Sequence, residues 1–205
     1  PQTTRHRVLG ILSTGTHQMV FLDTPGIIKP KYLLHEVMMQ FADAAVAYAD
    51  ILLFMIDATD PKMDADLTHE EAFGRLEGMA KPVFLVINKV DAVEKASMLP
   101  VIDYYARTFP FREIFPISAL RAENTAELIT ALAPLLPEHP PYYPLDIVSE
   151  QSERFFVGEI VREKIFVICR EEVPYSTTVD VIEFKERETG KTFVSADIYV
   201  ERESQ

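Results

Sequence analysis

Val83-Phe84-Leu85-Val86-Ile87-Asn88-Lys89-Val90-Asp91 decides the fold of this 205-residue chain. Its first five residues are an unbroken apolar run, the pattern of a strand covered on both faces, and polar residues follow abruptly. Working outward, Ile51 to Ile56 is a second near-continuous apolar run and Ile114 to Ile117 a third. Helical periodicity separates them. Between Tyr32 and Tyr48, Leu33, Val37, Phe41, Ala45 and Tyr48 recur at three and four, and Thr68 to Met79, Leu99 to Arg107 and Thr125 to Leu136 also read as helix. Strands alternating with helices predict an α/β fold with a mostly parallel sheet and helices on both faces. Earlier still, Val8 to Leu12 and Met19 to Leu22 flank Ser13-Thr14-Gly15-Thr16. That turn is too short for a crossover, so these two strands form a hairpin and one of them runs antiparallel.

The gross composition narrows the function. At 48% hydrophobic residues the chain has ample material for a core, yet no run approaches the ~18 apolar residues of a membrane-spanning helix. A formal charge of -12 means that the chain as a whole repels nucleic acid, so RNA contact needs a local basic surface. Arg5, His6 and Arg7 are too few to form it. The single cysteine, Cys169, excludes an internal disulfide and fits a reducing cytoplasm. Its apolar surroundings from Phe166 predict a buried, inert thiol. No signal-peptide pattern is visible, and Pro1 in place of an initiator methionine leads us to expect a truncated or processed N-terminus.

Chemistry enters at the strand ends. Asp23-Thr24-Pro25-Gly26 closes the hairpin strand and stands 65 positions before Asn88-Lys89-Val90-Asp91. A D-x-x-G element followed at that distance by N-K-x-D is the pattern of a guanine-nucleotide switch. Open α/β sheets bind ligands at the carboxyl ends of their strands. There Asp91 would accept hydrogen bonds from the ring N–H and exocyclic amine of guanine. Adenine presents the wrong edge, and a carboxylate left unpaired in the pocket would reject it by ~10⁴-fold. Asn88 would tie this loop to its neighbours, and Lys89 would lay its stem along the base or ribose.

Asp23 would hold Mg²⁺ through a water and the Gly26 N–H would meet the γ-phosphate. Glycine fits that position because the backbone must approach closely and flip when the phosphate leaves. Ser118-Ala119-Leu120 follows the third strand and would offer the Ala119 N–H to guanine O6. Thr3 and Thr4, ahead of the first strand, would supply a hydroxyl to Mg²⁺. Each element alone is an ordinary turn; order, spacing and strand context together give the signal.

Several patterns carry nothing. Gly10 to Gly15 has the glycine spacing of a phosphate loop, but Thr16-His17 and another strand follow, in place of Lys-Ser/Thr and a helix. No Gly-x-x-x-x-Gly-Lys-Ser/Thr loop occurs in the 205 residues. Thr68-His69-Glu70-Glu71 and His35-Glu36 lack the second histidine of a zinc helix and read as helix-face polar residues. A generic α/β enzyme using His6, His17 or Asp57 has no supporting constellation.

A composition break follows, where Pro134, Pro137, Pro140, Pro141 and Pro144 crowd together and predict a stiff, extended connector. Beyond it, Glu153 to Ile168 reads as an amphipathic helix, Thr177 to Phe184 as a strand and Phe193 to Val200 as its partner across a polar turn.

Taken together, these stretches resemble the Era family of GTPases along the whole chain. Gln2-Thr3-Thr4-Arg5-His6-Arg7 is similar to its switch I, Asp23-Thr24-Pro25-Gly26 with Ile27 to its switch II, and Asn88-Lys89-Val90-Asp91 and Ser118-Ala119-Leu120 to its guanine motifs. The segments Ser152-Glu153-Arg154-Phe155, Gly158 to Lys164, Pro174-Tyr175-Ser176 and Val200-Glu201-Arg202-Glu203 resemble its second domain, and they single it out among GTPases.

The resemblance implies a P-loop GTPase-type domain over residues 1–136, lacking its first strand and phosphate loop. A proline-rich linker over 137–152 and the N-terminal half of a KH-like, type II α+β RNA-binding domain over 153–205 would follow. It further implies GTP/GDP and Mg²⁺ as ligands, slow hydrolysis, and small-subunit ribosomal RNA and the 30S subunit as partners. The implied protein is a cytoplasmic monomer, partly peripheral on the inner membrane. Of the threonine pair, Thr4 falls on the family's Mg²⁺ ligand. Ile27 stands where Ras-like proteins carry a water-orienting glutamine, so the intrinsic rate should be low.

The family's opening strand and phosphate loop, and the Gly-x-x-Gly loop of its KH domain, have no match here. We therefore expect the chain to be a portion of a longer protein with an exposed ladder edge where the first strand would pair. Two alternatives stay open at this point. One is a related GTPase that modifies tRNA or assembles another ribosomal particle; the other is a non-catalytic interaction module.

Overall fold

The computed structural model of the chain describes residues 8–24, 33–63, 67–168, 177–186 and 190–200. In chain order its elements are β1 (Val8–Ser13), β2 (Gln18–Asp23), α1 (Leu33–Tyr48), β3 (Leu52–Asp57), α2 (Leu67–Leu76), β4 (Val83–Asn88), α3 (Lys95–Thr108), β5 (Ile114–Pro116) and α4 (Thr125–Leu132). After the proline-rich stretch come α5 (Glu153–Ile168), β6 (Thr178–Lys185) and β7 (Phe193–Tyr199). Cys169 lies outside the described residues.

β4 organises the first part. It pairs in parallel with β3 on one side and β5 on the other, and Leu85, Val86 and Ile87 are completely buried. Successive side chains of a strand point to opposite faces, and the burial follows that rule. Val83, Leu85 and Ile87 join Phe73 and Leu76 of α2 and Met98, Val101 and Tyr105 of α3. Phe84 and Val86 join Met19 of β2, Phe115 of β5 and Leu128 and Leu132 of α4. The unbroken apolar run thus serves two separate cores, which a one-sided alternating strand could not do. The Tyr105 hydroxyl satisfies itself by donating to the Pro61 carbonyl at 2.6 Å.

β3 differs from the expectation of a strand covered on both faces: Met55 is 56% exposed. Among the described residues β3 is also an edge strand of the β3-β4-β5 sheet. β1 and β2 form a separate antiparallel sheet with Val8 opposite Asp23 and Ser13 opposite Gln18. The intervening turn is closed by the Thr14 hydroxyl, which donates to the His17 carbonyl at 3.0 Å and accepts from the His17 N–H at 3.1 Å. The glycine-spaced stretch is therefore a hairpin, as read from the sequence.

Helix ends depart from the sequence reading for local reasons. α3 begins at Lys95, a turn before Leu99, and holds Pro100 inside it. Ser97 closes that extra turn through its N–H and its hydroxyl, which both donate to the Glu94 carbonyl, at 3.0 and 2.7 Å. Buried Met98 anchors it. α2 stops at Leu76 before Gly78, whose φ of 75° is the left-handed conformation that ends helices. α4 stops at Leu132 and tightens into a 3-10 turn over Ala133–Leu135, because Pro134 has no N–H to continue the α ladder. Lys81 donates to the Val46 and Ala47 carbonyls at the end of α1, at 3.0 and 2.5 Å, filling the acceptors a helix C-terminus leaves open.

The proline-rich stretch does more than connect. The Gln18 carboxamide brackets Tyr143, donating to its carbonyl at 2.9 Å and accepting from its N–H at 3.0 Å. Farther along, the Ile11 N–H donates to the Val148 carbonyl at 2.8 Å and the Ser149 hydroxyl to the Leu9 carbonyl at 2.7 Å. Residues 143–149 lie along the outer side of the hairpin and cover the edge β1 would otherwise expose. Beyond them α5 packs on β6, which pairs antiparallel with β7 through a bulge at Val181/Glu183. Arg162 of α5 is nearly buried and paired with Glu159 at 2.5 Å.

Candidate functional site

Parallel strands end on the same side of a sheet, and the ends of β3, β4 and β5 lie side by side: Asp57 faces Asn88, and Ile87 faces Pro116. The pairing runs on into the loops. The Ala58 N–H donates to the Asn88 carbonyl at 2.8 Å, the Ile117 N–H to the Ile87 carbonyl at 2.8 Å, and the Val90 N–H to the Ile117 carbonyl at 3.2 Å. Backbone geometry therefore fixes three loop starts before any side chain acts.

Asn88 knits two of these loops together. Its Oδ1 accepts from the Lys89 N–H at 2.8 Å and from the Ala119 N–H at 3.0 Å. That second bond uses the N–H which the sequence reading offered to guanine O6, so it places Ala119 at the tie between the loops. Lys89 itself has φ 66° and ψ 33°. A left-handed non-glycine residue is strained and persists where the surroundings hold it, as at ligand sites.

Asp91 sits in the 3-10 turn Val90–Ala92, with its side chain 11% exposed. The Ser118 hydroxyl donates to its carboxylate and Arg121 Nε stands 3.5 Å away. The Ser118 bond, with a smaller contribution from Arg121, holds the Asp91 carboxyl below the usual aspartate range against the opposing effect of burial. Ser118 is completely buried and also accepts the Arg121 N–H at 3.1 Å. The loop around it is braced by the Ser118–Glu123 backbone pair and by the Asn124 amide on the Pro116 carbonyl at 2.8 Å. Leu120 is 88% exposed at the tip of that loop.

At the end of β3, Asp57 accepts from the Thr59 N–H at 2.9 Å and hydroxyl at 2.7 Å through Oδ1, and from Lys89 Nζ at 2.5 Å through Oδ2. Partial burial pushes its carboxyl up, but the bonds from Lys89 and Thr59 outweigh that and leave it below its ordinary value.

These two depressed carboxyls set a pH dependence with a definite sign. A carboxyl held below its ordinary value remains an ionised acceptor until the pH falls through that lowered value. Guanine-nucleotide affinity should stay level from pH 7 to about 5. It should decline only below the ordinary aspartate value of 3.8, as Asp57 and Asp91 protonate. Fluorescent-nucleotide titrations across pH 3–8 check this; a fall centred near pH 6 would place the controlling group elsewhere.

The structure thus brings together Asn88, Lys89, Val90, Asp91, Ser118, Ala119 and Leu120 from the residues read in the sequence. Asp23 and Thr24 end β2 in the hairpin sheet, and Asp23 lines a cleft of about 660 Å³ with Arg154, Arg162, Thr177 and neighbours from α5 and β6. Pro25, Gly26 and Ile27 lie outside the described residues, as do Gln2, Thr3, Thr4, Arg5 and His6. Three contributions lie outside the roles read from the motifs: the Ser118 hydroxyl, Arg121, and Asp57, which was weighed in the sequence only for a generic enzyme. Asp57 was legible in principle, since it follows an apolar run just as Asn88 does. Among the described residues no group of three or more His, Cys, Asp or Glu side chains is placed to hold a metal ion.

Residues 1–89 match a family model described as 50S ribosome-binding GTPase. Over its whole length the chain is 45% identical to the GTPase Era of Geotalea daltonii and covers 68% of that protein. Two crystal structures superpose on it with a TM-score of 0.84 at 38% identity, each over 98% of this chain. One is a variant of Aquifex aeolicus Era bound to GDP·AlF4⁻, of which 69% is covered. The other is Era in complex with MgGDPNP and nucleotides 1506–1542 of 16S ribosomal RNA, of which 68% is covered. The N-K-x-D and S-A-L stretches at adjoining strand ends, identity running over the whole chain, and one architecture throughout lead to the same place: this chain belongs to the Era family of GTPases.

Proposed function

We propose that this protein binds and hydrolyses GTP at the ends of β3, β4 and β5 and, under the control of that nucleotide, binds 16S ribosomal RNA during assembly of the 30S subunit. The observation that supports this most is the joining of Asn88 to Ala119 and of Asp91 to Ser118. It presents one ionised carboxylate beside a braced loop, the arrangement a guanine edge requires. The relation to an Era that holds both MgGDPNP and a 16S segment supports the RNA half of the proposal.

In this reading residues 1–136 carry the nucleotide, 137–152 are the linker, and 153–205 carry the RNA contact. Asp91 selects guanine, Asn88 and Ser118 set its loop, and Lys89 and Leu120 flank the base. Asp23-Thr24-Pro25-Gly26 with Ile27 and the segment Gln2 to His6 respond to the γ-phosphate. Thr4 would hold Mg²⁺ directly and Asp23 through a water, an oxygen donor set suited to a hard cation that keeps most of its ligands as water and phosphate. When bound, Mg²⁺ supplies charge neutralisation at the phosphates. With Ile27 beside Gly26, no side-chain amide orients water there, and hydrolysis is slow. The family resemblance supports a cytoplasmic monomer with peripheral contact at the inner membrane; separately, no described helix is long and apolar enough to cross a membrane.

Filter binding of the whole gene product to an RNA of the 16S 3′ end, with a non-hydrolysable GTP analogue or with GDP, tests the proposal. The analogue should tighten binding about tenfold, within the usual range of coupling between two sites. Equal affinity with both nucleotides, or none with either, contradicts it.

A further inference from the structure

Asp57 belongs to no guanine-binding pattern, yet it touches the centre of one. Its two carboxylate oxygens are divided: Oδ1 takes the Thr59 N–H and hydroxyl, and Oδ2 takes Lys89 Nζ at 2.5 Å. The Thr59 bonds make a local turn that immobilises the carboxylate before the lysine arrives. Lys89 begins at the end of β4 and its ammonium ends on β3, so its four-carbon stem spans neighbouring strands about 4.8 Å apart. Both ends of that stem are constrained, one by the left-handed backbone at φ 66° and the other by Asp57. A lysine stem left free would lose much of its rotamer freedom on lying along a ligand.

We infer that Asp57 is a positioning residue of the nucleotide site, holding the Lys89 stem across the strand ends as the wall on which base and ribose rest. The inference deepens the proposed function and depends on its placement of the base. The pair is solvent-accessible, with side chains 59% and 34% exposed for Lys89 and Asp57. Exposed ion pairs add little to fold stability, so its effect belongs to ligand affinity rather than to melting temperature. GDP and GTP should feel it alike, because the contact lies on the nucleoside side.

Asp57→Asn tests this in the whole gene product. The amide oxygen preserves the Thr59 turn, while the amide NH₂ faces the lysine ammonium donor to donor and releases it. Titration with fluorescent GDP and a GTP analogue should show both affinities reduced about 3- to 10-fold, the size of one modest ion-pair contribution, with an unchanged thermal midpoint. In a Lys89→Met background the same change should alter affinity by less than about 1.5-fold, because Asp57 acts through that lysine. Asp91→Asn, titrated alongside with GDP and XDP, reports on the site itself. If Asp91→Asn moves preference toward xanthine but Asp57→Asn binds GDP like the parent, the inference is overturned while the site stands. A full Asp57→Asn loss persisting in the Lys89→Met background overturns it too. If Asp91→Asn leaves base preference untouched, the placement of the site fails and the inference falls with it.

Discussion

Asp91→Asn in the whole gene product should weaken GDP binding by about 10²-fold or more and raise XDP affinity until xanthine is the preferred base. The expectation follows from which groups donate. Guanine offers two donors on one edge, its ring N–H and exocyclic amine, and the Asp91 carboxylate is an acceptor on both oxygens. Its environment keeps it so, since the Ser118 hydroxyl donates to it and Arg121 stands near. An asparagine amide has one acceptor and one donor. It can meet the xanthine ring N–H and the adjacent carbonyl, but it sets donor against donor at the guanine amine. Sites built on such polar pairing reject the wrong partner strongly, because a group removed from water is left without a bond. Competition of GDP and XDP for the same fluorescent nucleotide measures the exchange. An unchanged ratio would mean that position 91 does not face the base.

Leu85→Ala should destabilise the fold by about 3–5 kcal/mol, the range for removing a fully buried leucine without collapse of the space it leaves. Leu85 has no exposed surface and lies mid-strand between β3 and β5. It packs among Phe73, Leu76, Val101 and Tyr105. Its backbone is pinned on both sides, its own N–H donating to the Glu113 carbonyl at 3.0 Å, so β4 cannot slide to fill the void. Leu85→Met, which conserves volume, should cost less than about 1.5 kcal/mol. Urea unfolding compares the three proteins. An alanine variant within about 1 kcal/mol of the parent would show that β4 does not organise the core.

Both predictions rest on features legible in nine consecutive residues. The apolar run Val83 to Ile87 announced a strand buried on two faces, and the polar residues after it announced a strand end where ligands bind. α5 was equally legible, its bounds Glu153–Ile168 matching the periodicity, because nothing local contradicts the pattern. α3 was not. The periodicity read as helix only from Leu99, whereas buried Met98 and the Ser97–Glu94 bonds carry the helix one turn further back.

Contacts between segments distant in sequence were the hardest to foresee. Prolines at high density signalled an extended connector, but no local rule says that Gln18 brackets Tyr143. The same holds in the site. The N-K-x-D and S-A-L stretches were recognisable as backbone elements. That the Ser118 hydroxyl fixes Asp91, and that Asp57 receives Lys89, depends on strand order and register, which short motifs do not encode.

The most direct measurement is a crystal structure of the whole gene product with GDP and Mg²⁺. The guanine ring N–H and exocyclic amine should both lie about 3 Å from the Asp91 carboxylate, with the Lys89 stem alongside the base and the Ser118 hydroxyl still on Asp91. A nucleotide seated away from the ends of β4 and β5, or an Asp91 turned to solvent with the base present, would contradict the assignment of this site.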